Sequence, residues 1–456
     1  MDDEAKRADI ALMWFRRDLR LADHPALSRA AESGRVLPLV VLDPTLLRDG
    51  SRRRDRYLAS VAALRDTIGG ALEIRTGDPA EEVRAAARRV GATAVHISAE
   101  TTPFGRRRDG RVRRSLAEAG IELIATGSPY AVGPGAVRNG SGDPYKVFTP
   151  FSRAWREHGW ADPAPAAEVA WHTDDVKSEH RQLPDPDDHE AGEVRALDRW
   201  RAFLDERIND YETTRDRPDL DATSRLSIPL KYGEIHPRTI LADVGAESGR
   251  GAAAREKFVA ELCWREFYAD VLWHRPESAW QDLRPEFGSM EYADPDQVAD
   301  LITAWKQGRT GYPAVDAAMR QLLGEGFMHN RMRMVTASFL AKDLHVWWPL
   351  GARHFLDQLL DGDLASNNHN WQWVAGTGTD AAPYFRVFNP ITQGKKFDPD
   401  GHYVRRWVPE LAHLDGAAVH EPWKAEDGYA DGYPERIVDH AEERRVALAR
   451  YEQARS

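Results

Sequence analysis

Val36-Leu-Pro-Leu-Val-Val-Leu42 is a run of seven residues without a single polar side chain. Successive residues of a strand point to opposite faces, so an uninterrupted apolar run fits a strand covered on both sides. Asp9-Ile-Ala-Leu-Met-Trp-Phe15 reads the same way, and Ala94-Val-His-Ile97 and Ile121-Glu-Leu-Ile124 are shorter versions, with another strand predicted over 71–75. Helical patterns fill the gaps: one begins near Asp23-His-Pro-Ala-Leu27, and others cover 52–67, 79–90 and 106–119. This alternation predicts a parallel, doubly wound sheet. No Gly-x-Gly-x-x-Gly follows the first strand, so the dinucleotide fingerprint of a Rossmann fold is missing.

The pattern changes near residue 130. Residues 131–195 carry Pro, Gly, Asp and Ala without clear period and read as a long connecting segment. From 196 onward the pattern is helical, with helices expected near 196–208, 254–273, 297–307, 313–325, 328–343 and 350–360. The expected fold is therefore an α/β N-terminal domain (1–130), an interdomain segment (131–195) and a larger all-α C-terminal domain (196–456).

The chain has 456 residues, enough for two or three domains, and 42% apolar with 30% charged residues fits a soluble globular protein. It has no apolar run of the roughly eighteen residues that a membrane span needs. The N-terminus lacks the apolar stretch of a secretory signal. A lone cysteine, Cys263, excludes an internal disulfide and a multi-cysteine metal site. The expected location is the cytoplasm. The net charge of -11 argues against a protein that coats nucleic acid non-specifically, but leaves room for a local basic groove.

Asp361-Gly-Asp-Leu-Ala-Ser-Asn-Asn-His-Asn-Trp-Gln-Trp373 is the densest polar and aromatic stretch. Buried polar groups cost a few kcal/mol each unless hydrogen-bonded, roughly 2–7 on transfer scales, so a polar aromatic ligand is a natural partner. Trp371 and Trp373, two apart on a helix, should serve different surfaces. Other groupings add to this. Thr223-Ser-Arg-Leu-Ser227 precedes a helix and reads either as an anion site or as ordinary N-capping, with Tyr211 and Arg215 four residues apart just upstream. Glu261 and Trp264 share a helix face with Tyr268 one turn on, suited to gripping a flat base and its polar edge, or simply an exposed face. Asn330, Arg333 and Met334 share another face, Arg331 points elsewhere, and Arg333 is a natural partner for Asp361 or Asp363. Arg106–Arg114 reads as a solvated basic helix, whereas Lys395, Lys396, Arg405 and Arg406 are better placed for phosphates.

In order and spacing, Arg16-Arg-Asp-Leu-Arg20, Thr223–Ser227, Trp264-Arg-Glu-Phe267, Gly311-Tyr-Pro313, Met328-His-Asn-Arg-Met-Arg-Met334, Asp361-Gly-Asp363 and Asn370-Trp-Gln-Trp373 resemble the photolyase/cryptochrome family, most of all its class I enzymes for cyclobutane pyrimidine dimers. The resemblance runs from about 9 to 423. It implies an α/β antenna domain, a helical FAD domain and light-driven electron transfer from reduced FAD to a lesion flipped out of DNA, a carbon–carbon lyase reaction. Tyr211, Thr223, Ser224, Arg225, Leu226, Ser227, Arg333, Asp361, Asp363 and Asn367 would hold FAD, with Asn367 at flavin N5. Glu261 and Asn330 would meet the dimer chemically, Trp264, Met334 and Trp373 would pack it, and Arg215, Arg331 and Lys395 would hold DNA phosphates. Trp371 and Trp348 would relay electrons. The third relay tryptophan of the family has no counterpart, and Tyr292 is the nearest oxidisable side chain. A second chromophore is implied near Val41–Pro44 and Pro103–Asp109, 8-hydroxydeazaflavin ahead of methenyltetrahydrofolate, or the site stays empty. The partner would be UV-damaged DNA, single- or double-stranded, and the protein a monomer. The alternative is a cryptochrome-like photoreceptor without repair.

Overall fold

The computed structural model describes residues 10–47, 50–176, 183–246, 251–380 and 386–455. Asp9, at the edge of the first expected strand, lies outside them. The described chain forms two compact units. The first comprises Met1–Tyr145, Pro150–Ile208 and Ser224–Pro276, and the second Lys146–Thr149, Asn209–Thr223 and Glu277–Ser456.

The first unit is built on a parallel sheet. Its strands β1 (Ile10–Phe15), β2 (Arg35–Leu42), β3 (Glu73–Thr76), β4 (Ala94–Ile97) and β5 (Glu122–Ala125) lie in the order β3-β2-β1-β4-β5. Helices α1 (Pro25–Ala31), α2 (Arg52–Thr67), α3 (Pro79–Val90) and α4 (Pro103–Ala117) connect them. Alternation along β1 feeds two cores: Ala11, Met13 and Phe15 pack with Leu27, Leu58 and Val61, whereas Leu12 and Trp14 pack with Val83, Val112 and Leu116. Helices thus cover both faces, which explains why β2 is apolar from Val36 to Leu42.

The segment 131–195, read from sequence as irregular, contains helix α5 (Phe148–His158) and strand β6 (Ala170–Trp171), which pairs in parallel with the start of β2. Pro150 obscured the helical period, yet it sits in the first turn of α5, where proline needs no hydrogen-bond donor. In the same unit lie α6 (Glu193–Glu206), α8 (Ser227–Tyr232), α9 (Pro237–Ala246) and the 23-residue α10 (Ala252–His274). Specific contacts tie these helices to the sheet region. Leu19 N–H donates to Tyr232 O at 3.2 Å, and Arg56 clasps the buried Glu234 carboxylate at 2.6 and 2.8 Å. By compactness, then, 196–208 and 224–276 group with the sheet, whereas the sequence pattern placed them with the other helices.

The second unit is helical among its described residues: α7 (Tyr211–Thr214), α11 (Ala299–Gln307), α12 (Pro313–Glu325), α13 (Asn330–Ser338), α14 (Trp348–Gln358), α15 (Leu364–Ala375), α16 (Pro390–Phe397), α17 (His402–Trp407) and α18 (His440–Arg455). The helix expected over 328–343 ends as α at Ser338 and continues as a π turn, Phe339–Asp343. Its core holds Trp305, Met319, Phe339, Trp348, Phe355 and Trp371. No helix of the described residues is long and apolar enough to cross a membrane.

Candidate active site

The stretch 361–373 forms the start and body of α15. Asp363 is its N-cap and accepts from Ser366 N–H at 3.0 Å, satisfying one of the orphan donors of the first turn. Most of the buried polar side chains that follow are consumed inside the protein. Asn368 donates to Ala279 O, His369 Nε2 lies 2.9 Å from Ser278 Oγ, and Gln372 bridges Leu283 N–H at 2.9 Å and Ser278 O at 2.7 Å. These residues pin the 278–283 segment, so the sequence reading that their polarity calls for a ligand is corrected for them.

Asp361 is different. It is buried, and Arg333 Nη2 donates to its Oδ2 at 2.9 Å while Arg333 Nε donates to Met328 O at 2.8 Å. Its other oxygen, Oδ1, is buried without a hydrogen-bond partner among the described residues. A buried carboxylate oxygen left unpaired is costly, on the order of 1–3 kcal/mol, and marks a place where a donor from a ligand fits. Asn367 donates its amide hydrogens to Ala352 O at 3.0 Å and Asn368 Oδ1 at 2.8 Å, which leaves its own carbonyl oxygen for an N–H donor. Both residues suit a flavin, which has N–H and hydroxyl donors.

His369 is fully enclosed, and burial pushes it down from 6.5 to about 4. The folded protein keeps this ring neutral where an unfolded histidine is already protonated, so stability is complete above pH 6.5 and falls as the pH drops toward 4. The expected loss approaches about 3 kcal/mol. Urea unfolding at pH 7 and pH 4.5 measures it, and His369→Gln should flatten that part of the slope.

Trp371 is buried, edge-on to Phe355 (5.0 Å, 77°) and to Trp305 (6.2 Å, 74°). Gly351 of α14 admits its ring: a Cβ there would stand 2.2 Å from Trp371 Cη2 and 2.5 Å from Leu340 Cδ2. Trp373 is half-buried and donates to Asp380 O at 3.0 Å. Asn330 is exposed and Met334 half-buried on α13, whose cap is His329. Arg331 pairs with Asp216 at 3.0 Å and lies over Phe397 at 4.4 Å, and Arg215 lies over Tyr211 at 5.4 Å. Lys395 is already bound to Glu421, which also holds Lys424 at 2.8 Å. Such exposed pairs are worth about 0–1 kcal/mol, so Lys395 can exchange its partner for a phosphate. Thr223 belongs to this unit and Ser224 to the other.

In the first unit, Ser224 Oγ accepts from Leu226 N–H at 3.3 Å and Arg225 takes a left-handed backbone (φ 50°). The cap of α8 is Leu226, with no side-chain cap bond, so Thr223–Ser227 is not a standard N-cap. Glu261 and Trp264 are half-buried on α10, with Trp264 5.3 Å from Tyr268 and 5.7 Å from Phe267. The middle of the Trp264-Arg-Glu-Phe motif has another task. Arg265 donates to Pro129 O at 2.9 Å, and Glu266 accepts from Ala131 N, Val132 N and Trp155 Nε1 at 2.5, 2.9 and 2.7 Å. Burial pushes Glu266 up to about 7 against these donors.

At the carboxyl ends of β1 and β4, where strand order reverses and α/β sheets bind ligands, a polar cluster gathers. Arg17 pairs with Glu100 at 3.1 Å, Arg16 with Asp109 at 3.3 Å and Arg108 with Asp109 at 2.8 Å. Arg16 and Arg108 both lie over Trp14, at 4.6 and 5.0 Å. Burial works against ionisation of Glu100, but Arg17, Arg108 and Arg16 hold it below its usual range. The expectation of a solvated basic helix holds for Arg106, Arg107, Arg111, Arg113 and Arg114, which are exposed, and is corrected at Arg108, which is buried; the exposed Arg106 stacks on Trp273 at 3.9 Å. Arg108 turns inward to its neighbour Asp109 and to the Trp14 indole, which is distant in sequence.

Sequence reasoning missed Asp282 and Trp347, which cluster with Trp348. The doubled Trp347-Trp348 was the available signal.

Residues 11–169 match the family described as DNA photolyase, and residues 258–453 match the FAD binding domain of DNA photolyase. The deoxyribodipyrimidine photo-lyase of Streptomyces griseus is 43% identical over 98% of this chain and 99% of its own length. A bacterial class III photolyase from Agrobacterium tumefaciens superposes with a TM-score of 0.91 at 36% identity, covering 99% of each chain. A cryptochrome from Synechocystis gives 0.86 at 28% identity, covering 98% of this chain and 99% of its own. With likeness of this extent over both units, the chain belongs to the DNA photolyase family.

Proposed function

We propose that this protein is a deoxyribodipyrimidine photo-lyase that uses light to split cyclobutane pyrimidine dimers in DNA. The observation that supports this best is the buried, unpaired Asp361 Oδ1 beside the Arg333 pair, in a chain 43% identical to a photo-lyase over nearly its whole length. FAD, when bound, supplies light absorption and the one-electron step to the lesion. Asp361, Arg333, Asp363 and Asn367 would hold that cofactor, Asn367 through its free carbonyl oxygen, and Thr223–Ser227 with Tyr211 would take its phosphates. Glu261 and Asn330 hydrogen-bond the flipped dimer, and Trp264, Met334 and Trp373 exclude water from it. Arg215, Arg331 and Lys395 take the flanking phosphates, so binding weakens with salt. Trp371 and Trp348 would carry electrons toward an oxidised flavin. The cluster of Arg16, Arg17, Glu100, Arg108 and Trp14 receives an antenna chromophore, which we assign to the 8-hydroxydeazaflavin class. We place the protein in the cytoplasm as a monomer.

The test is direct. Reduced protein is mixed with single-stranded DNA carrying one thymine dimer and lit with blue light, and restored thymines are counted. A photoreceptor without repair gives none, in light or dark, and that result sinks the proposal. Glu261→Ala should cut repair by roughly tenfold or more, by analogy with loss of a group that stabilises developing charge, while flavin content stays level.

A further inference from the structure

Trp348 opens α14 fully buried, and its indole N–H donates to Asp282 Oδ1 at 2.7 Å. Trp347, one residue earlier, is 42% exposed. Its ring centroid lies 6.4 Å from that of Trp348 at 67°, and its N–H donates to the other oxygen, Asp282 Oδ2, at 3.3 Å. One carboxylate therefore receives both indole N–H groups. Gly351, against which Trp371 presses, is one turn along α14 from Trp348. Trp371 and Trp348 both belong to the core of the unit, and Trp347, beside Trp348, reaches solvent.

We infer, resting on the reading that Trp371 and Trp348 relay electrons, that Trp347 is the terminal electron donor and Asp282 its proton acceptor. One electron leaves the Trp347 ring and passes through Trp348 and Trp371 to photo-excited flavin, so Trp347 is oxidised by one electron and the flavin is reduced by one. The oxidised indole gives its N–H proton to the Asp282 carboxylate. A thiolate in solution then supplies one electron and becomes a thiyl radical, and Asp282 returns the proton to the indole.

Two physical effects favour this end point. A positive charge on the buried Trp348 ring lacks hydration, at a cost of several kcal/mol, roughly, even after relaxation, whereas the exposed Trp347 ring keeps water around it. Asp282 adds an anion at hydrogen-bond distance from both rings, which stabilises the cation and takes its proton. Tyr292, the candidate read from the sequence, is less suitable. Its hydroxyl is buried without a hydrogen-bond acceptor among the described residues, and a phenol must lose its proton as it is oxidised. Burial first, and Asp282 second, also raise its pKa.

Flash photolysis of the protein with oxidised flavin, in the presence of thiol, tests the assignment. Trp347→Phe should lower the yield of lasting photoreduction by about tenfold or more, equivalent to at least 1.4 kcal/mol in the competition with charge return. Tyr292→Phe should leave it at the wild-type level. Electron paramagnetic resonance should show a tryptophanyl, not a tyrosyl, radical, and Asp282→Asn should keep that radical in its protonated cation form for longer. A wild-type yield in Trp347→Phe, with Trp371→Phe inactive, overturns the terminal assignment and leaves the relay standing. A wild-type yield in Trp371→Phe overturns the relay and this inference together. A tyrosyl signal lost in Tyr292→Phe also overturns it.

Discussion

Asp361→Ala is expected to yield folded protein that retains little FAD. The side chain holds a buried oxygen with no partner among the described residues, and the other oxygen carries the Arg333 guanidinium at 2.9 Å. Removing one member of such a buried, hydrogen-bonded charge pair costs about 2–5 kcal/mol in binding. That range corresponds to a fall in affinity of roughly thirtyfold or more. Arg333→Met should weaken flavin binding as well, because it leaves the Asp361 carboxylate without its counter-charge. The double variant should bind no worse than the poorer single one, since both changes break the same pair. Flavin absorbance per protein after dialysis measures all three, and melting of the flavin-free proteins separates binding from folding. Additive losses would mean that Asp361 and Arg333 act independently.

The second large effect concerns stability. Arg56→Met should cost about 3–5 kcal/mol, because it strands the fully buried Glu234, which accepts from Arg56 at 2.6 and 2.8 Å and from Gly192 N–H at 2.8 Å. Whole domains are stable by only about 5–15 kcal/mol, so this variant should unfold at much lower urea. Adding Glu234→Gln should recover much of the loss, since an uncharged amide is easier to bury and still accepts from Gly192. Urea midpoints with unchanged slope provide the measure.

Much of this architecture could be read from the chain. The strands found at 10–15, 35–42 and 94–97 lie within a residue of those expected, because long apolar runs between turn signals leave few alternatives. Helix α5 was hidden, since its first turn carries a proline and its apolar positions Phe151 and Trp155 are few. The polar residues of 361–373 were legible as unusual, but not in their use. Periodicity cannot tell that Asn368, His369 and Gln372 find partners at 278–283, because those partners are some ninety residues away. The same limit explains Arg108, which packs on the Trp14 ring of β1, distant in sequence, and Asp282, whose sequence neighbourhood carries no motif. Residues that act through contacts distant in sequence were out of reach, whereas those that carry their own local pattern were not.

Gly351 has no unusual backbone angle to excuse it, and an alanine there would strengthen α14 by about 1 kcal/mol. What the position encodes is a vacancy. The Trp371 ring occupies the space a methyl group would fill, so the separation between the helices is written as one missing carbon. Natural drift can exchange many of the neighbouring apolar side chains for others of similar bulk, but every alternative at 351 is larger. The packing of Trp371 on α14 is therefore guarded by the smallest residue in the stretch, and it is the position where divergence among descendants of this chain should stop first.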